Sequence, residues 1–67
     1  MTIEASLRAA CDELGWTPLQ LSAFAGKKST EPAKAWLSGK STPPGRVILR
    51  LILTEPVFRK HLLGDAA

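Results

Sequence analysis

Apolar residues along this chain recur every three to four positions, in runs separated by short stretches of Gly, Pro, Ser, Thr and Lys. That spacing places side chains on one face of an α-helix. Ile3, Leu7, Ala10, Cys11 and Leu14 follow it and predict a first helix over residues 3–14. Thr2 is its expected N-cap and Gly15 its left-handed stop. "WTPLQLSAFAG" predicts a second helix, with Thr17 as cap and Pro18 at the first helical position, where a missing N–H costs little. Leu21, Phe24 and Ala25 face inward, Ser22 is small enough for close helix approach, and Gly26 ends the segment. "STEPAKAWLSG" predicts a third helix, capped by Ser29, with Pro32 in the first turn and Ala33, Trp36 and Leu37 inward. Gly39 ends it.

After the stiff loop "KSTPPG", a fourth helix is expected over residues 45–53. Val47, Ile48, Leu51 and Ile52 face inward. Leu49 and Leu53 widen the apolar surface, and Arg46 and Arg50, four apart, share an outer face. A fifth helix over residues 55–63 repeats the Thr-Glu-Pro opening, with Thr54 as expected cap, Pro56 in the first turn, and Phe58 and Leu62 as anchors. Gly64 closes it and residues 65–67 are expected to fray. "RVILRLIL" also suits a strand, but a lone strand has no partner, so helix is favoured. The predicted class is all-α: five helices with short connections in one domain, residues 1–67.

Size narrows the picture. A chain of 67 residues buries a modest core and gains little stability beyond what folding costs. One cysteine excludes an intrachain disulfide, and one histidine leaves too few ligands for a Cys/His zinc site. Cys11 falls on the inward stripe and reads as a small core residue. His61 reads as a surface residue. The sequence has no glycine-rich phosphate loop, no metal-ligand cluster, and no Ser–His or Cys–His spacing suited to catalysis, so neither an enzyme nor a cofactor is expected. No apolar run reaches the length of a membrane span. The N-terminus lacks the basic start and uninterrupted apolar stretch of a signal peptide, and with a lone cysteine this points to a reducing cytoplasm.

Charge is unevenly spread. Residues 1–13 carry one base and three acids, net −2; residues 14–54 carry six bases and one acid, net +5; the remainder balances. A basic centre favours a polyanionic partner.

The order of these segments carries a resemblance. "ELGWTPLQLSAFAG", then "AKAWLSGKSTP", then "RVILRLIL" closely resembles the Cro/C1-type, or Xre-type, helix-turn-helix family, which includes phage repressors, Cro proteins and many antitoxins. The likeness covers roughly residues 3–63. Its most specific part is Trp36, Gly39, Lys40 and Pro43 in the order W-x-x-G-K-x-x-P. The resemblance implies a lambda-repressor-like fold with a helix-turn-helix over about 17–38, whose third helix enters the major groove. It implies that Thr30, Glu31 and Ala35, with Lys34 beside them, meet bases. Lys40, Ser41 and Thr42 would grip phosphate, and Lys27, Lys28 and Ser29 would lie in the turn near the DNA backbone. Glu31 has two readings: an acceptor for the cytosine amino group, or a favourable charge at a helix N-terminus. Arg46 and Arg50 have three: DNA contact, pairing with the acidic flank, or solvation of the fourth helix. Trp36 and Trp16 read as core rather than as stacking platforms.

This chain departs from the family pattern in three places. The interval from Gly26 to Trp36 is one residue longer than the common spacing. Pro18 stands where many relatives carry a phosphate-contacting Gln. Cys11 and Leu37 occupy positions where many relatives bury an Arg–Glu pair.

The leading expectation is a DNA-binding transcriptional regulator, a repressor acting as a homodimer on double-stranded DNA. Leu49, Leu53 and Leu63 are candidates for the dimer contact or, alternatively, for covering the monomer's own core. The runner-up is a helix-turn-helix scaffold that binds a protein partner and has lost DNA readout.

Overall fold

The computed structural model describes residues 2–64, so the expected fraying of 65–67 lies outside the described residues. Five helices follow one another: α1 Ile3–Leu14, α2 Pro18–Phe24, α3 Glu31–Ser38, α4 Gly45–Thr54 and α5 Pro56–Leu63. There is no strand among the described residues, and "RVILRLIL" is the body of α4.

Local chemistry sets most of the helix ends. The Thr2 hydroxyl accepts the Ala5 N–H at 3.2 Å and starts α1. At α2 the box is reciprocal: Thr17 Oγ1 accepts the Gln20 N–H at 3.2 Å, and Gln20 Oε1 accepts the Thr17 N–H at 2.7 Å. Gly15, Gly26 and Gly39 end α1, α2 and α3 with φ of 72°, 78° and 84°, a region that side-chain-bearing residues enter only with strain.

Two expected caps are wrong. Thr30, not Ser29, is the N-cap of α3, and its side chain makes no capping bond. Thr54 is the last residue of α4, and its hydroxyl donates to the Arg50 carbonyl at 2.6 Å. Glu55 takes the junction instead, as C-cap of α4 and N-cap of α5 at φ −124°, ψ 104°. The ring of Pro56 biases the residue before it toward the extended geometry that Glu55 adopts.

The core draws on every helix: Leu7, Ala10 and Cys11 from α1, Leu21 from α2, Ala33 and Trp36 from α3, Val47 and Leu51 from α4, and Phe58 from α5. Ile3, expected on the buried stripe, is 42% exposed, because the first turn of α1 runs past the end of the core. Leu14, Leu37 and Leu62 pack against the core from partly buried positions, and Ile48 and Ile52 are also only partly buried. α1 packs chiefly along α5 and also against α3; α2 packs on α3, and α4 on α5. Trp16 sits between the rings of Phe24 and Phe58, at centroid distances of 5.7 and 5.1 Å. Pro43, in the loop before α4, is buried.

Candidate nucleic-acid interface

The segment 17–42 is built from two short helices and the connection between them. α2 closes with paired backbone bonds: the Gly26 N–H reaches the Ala23 carbonyl at 3.0 Å, and the Lys27 N–H reaches Ser22 at 2.9 Å. This closure sets where Lys27 leaves the helix. The end of α3 uses the same device: the Lys40 N–H bonds back to the Ala35 carbonyl at 2.9 Å, with Ser41 on the same oxygen at 3.3 Å. Lys27 and Lys40 therefore each follow a left-handed glycine and are held by their own backbone rather than by a side chain.

The connection runs from Ala25 to Thr30 and is longer than the three- or four-residue turn of a typical helix-turn-helix. The extra length agrees with the long interval between Gly26 and Trp36. It leaves Lys27, Lys28 and Ser29 exposed. Thr30, at φ −82° and ψ −11°, is already near helical geometry, and its carbonyl accepts the Lys34 N–H at 3.0 Å.

α3 divides cleanly. Ala33 and Trp36 are buried. Glu31, Lys34, Ala35 and Ser38, spaced i, i+3, i+4 and i+7, form the opposite face, on which Glu31, Lys34 and Ser38 are exposed and Ala35 is partly buried. Lys40, Ser41 and Thr42 are exposed just beyond it. Of the sequence-derived site residues only Thr30 and Ala35 are partly buried, and none is buried. Among the described residues, the ion pairs all involve Glu13, so Lys27, Lys28, Lys34 and Lys40 have no carboxylate partner there.

Two supports escaped the sequence reading. Arg8 Nη1 donates to the Leu37 carbonyl at 3.2 Å, tying α1 to the end of α3. Leu37 is thus joined to α1 through its main chain. Ser38 Oγ donates to the Ala35 carbonyl at 3.2 Å. A side chain reaching a distant main-chain carbonyl leaves no periodic trace, so nothing in the sequence marks Arg8. The side chain of Glu4 lies over Gly39, where an added Cβ would stand 3.2 Å from Oε1.

Three further expectations change. His61 is not a simple surface residue: its side chain is 22% exposed, and Nε2 lies 3.0 Å from Glu13 Oε1. A carboxylate only accepts, so that nitrogen carries the proton. Lys60 Nζ contacts both Glu13 oxygens at 3.0 and 3.1 Å. Together these hydrogen bonds, led by that from His61, hold the Glu13 carboxyl below its ordinary value. Arg50 does not pair with the acidic flank; its guanidinium lies 4.8 Å from the centroid of Phe24. Leu49, Leu53 and Leu63 are 56%, 69% and 50% exposed, so they do not serve to cover the core.

The chemistry the arrangement offers is electrostatic and hydrogen-bonding. Among the described residues, no group of His, Cys, Asp and Glu is placed to hold a metal ion. Burial, followed by the neighbouring Asp12 charge, pushes the Cys11 thiol up to about 11, which leaves it a poor nucleophile at neutral pH. No helix among the described residues is long and apolar enough to cross a membrane. No family model, curated protein or solved structure matches the chain.

Proposed function

We propose that the protein is a sequence-specific DNA-binding transcriptional regulator, a repressor, that sets α3 in the major groove of double-stranded DNA. One observation carries the reading: Lys34 on the outward face of α3, and Lys27, Lys28 and Lys40 just before and after the helix in sequence, are all exposed and lack carboxylate partners among the described residues. In this reading Lys27 and Lys28 approach the phosphates before α3, while Lys40, Ser41 and Thr42 approach those after it. Lys34 and the outer positions Thr30, Glu31 and Ala35 face base edges. The resemblance to Cro/C1-type proteins in "ELGWTPLQLSAFAG" and "AKAWLSGKSTP" supports the same docking.

A single helix of eight residues offers few base contacts. Two-fold pairing over half-sites about 34 Å apart is the usual remedy, and exposed Leu49, Leu53 and Leu63 are the apolar surface available for it.

The test is selection from a random duplex library at two salt concentrations, with the wild type and a Lys28→Ala, Lys40→Ala variant. Enrichment of a palindromic site is expected. The variant should bind all sequences more weakly, with a salt slope shallower by roughly one unit for each phosphate that is no longer neutralised. Absence of any enriched motif, or identical slopes for the two proteins, overturns this docking.

A further inference from the structure

Between the end of α2 and the first turns of α4 lies a crevice of about 150 Å³, lined by Phe24, Ala25, Arg46, Val47 and Arg50. Its floor is apolar and its rim is cationic. Arg50 stacks on Phe24, which orders the guanidinium at the edge. Neither arginine meets a carboxylate among the described residues. The outward stripe of α4 continues the pattern: Arg46, Leu49, Arg50 and Leu53 stand at i, i+3, i+4 and i+7, with both leucines more than half exposed.

The geometry points to a docking surface for an acidic segment of another protein. Its carboxylates would meet Arg46 and Arg50, and one of its apolar side chains would fill the crevice over Phe24 and Val47. Volume and charge choose this occupant. The space is about that of one large side chain, well below the ~300 Å³ at which small-molecule pockets begin. A duplex offers the arginines phosphate, but the apolar group it presents in the major groove is the thymine methyl, which is too small to fill this floor. Arginine bordering an apolar pocket is the side-chain mixture enriched where protein interfaces concentrate their binding energy. This surface is lined by α2 and α4, and its use does not depend on the α3 reading.

The experiment uses the full chain and a labelled synthetic peptide in which one phenylalanine is flanked on both sides by glutamates. Two controls replace the glutamates by glutamine or the phenylalanine by alanine. Binding is read by anisotropy of the label and by tryptophan emission, because Trp16 lies 5.7 Å from Phe24. Saturable binding is expected, weakening as salt rises. Arg46→Gln, Arg50→Gln should weaken it by about tenfold. These are exposed surface positions, and circular dichroism checks that the variant remains helical. The glutamine peptide should lose a similar factor, and the alanine peptide severalfold. Lys28→Ala, Lys40→Ala should bind the peptide as the wild type does, which separates this surface from the DNA face. No saturation at millimolar peptide, or equal affinity for the phenylalanine and alanine peptides, overturns the inference. So does an arginine variant that loses duplex binding or self-association while keeping the peptide.

Discussion

Ser22 is the residue whose chemistry least suits its place. It is fully buried, and its hydroxyl has no hydrogen-bond partner. An unsatisfied buried hydroxyl costs roughly 1–3 kcal/mol. Its small volume explains its presence, since it lets α2 lie close to its neighbours, and alanine would do the same without the penalty. Ser22→Ala is therefore expected to raise stability by about 1 kcal/mol, measured by denaturant unfolding. A loss of stability would mean that the hydroxyl is satisfied in solution. Cys11 shows the opposite fit: a small, polarizable group on an apolar face with its thiol neutral at physiological pH.

At the scale of elements, the repeated Thr-Glu-Pro shows how identical residues take different registers. Before α3 the motif starts from a loop, so Thr30 caps and Glu31 is the first helical residue. Before α5 it starts from inside α4, so Thr54 stays helical and Glu55 becomes an extended one-residue hinge. That hinge lets α5 fold back against α1, and Glu13, bonded to Lys60 and His61, fastens the two helices. Because the folded Glu13 carboxyl lies below its ordinary 4.5, its contribution is complete above that value and is lost as pH falls through the lower folded value. Thermal melts of the wild type and Glu13→Gln should accordingly differ near neutrality and converge in acid. A gap that stayed constant down to low pH would assign the effect to packing rather than charge. Each group is well exposed or partly so, and added salt should narrow the gap.

At the scale of the whole molecule, the small core decides what it tolerates. With roughly 0.05–0.15 kcal/mol per residue, a chain of this length has about 3–10 kcal/mol of stability. Phe58 is fully buried, packs on Trp16 and anchors α5. Truncating such a residue costs roughly 3–5 kcal/mol. Phe58→Ala should thus remove about 3–5 kcal/mol, a large share of that total, read by denaturant unfolding followed through helical circular dichroism; a cost below about 1 kcal/mol would mean that α5 docks by other contacts. The five helices, most of their inward positions and their four glycine stops, Gly15, Gly26, Gly39 and Gly64, were legible in the sequence, because periodicity and caps are local and act within a turn or two. The exposed lysines around α3 were legible for the same reason. Contacts between distant residues were not. Glu13 meets Lys60 and His61 across 47 and 48 positions, and Arg8 reaches Leu37 across 29. The crevice under Arg46 and Arg50 exists only where α2 and α4 approach. Local pattern determined which residues face inward. Only the packing of the helices decided which polar groups meet, because those distances depend on every connection between them.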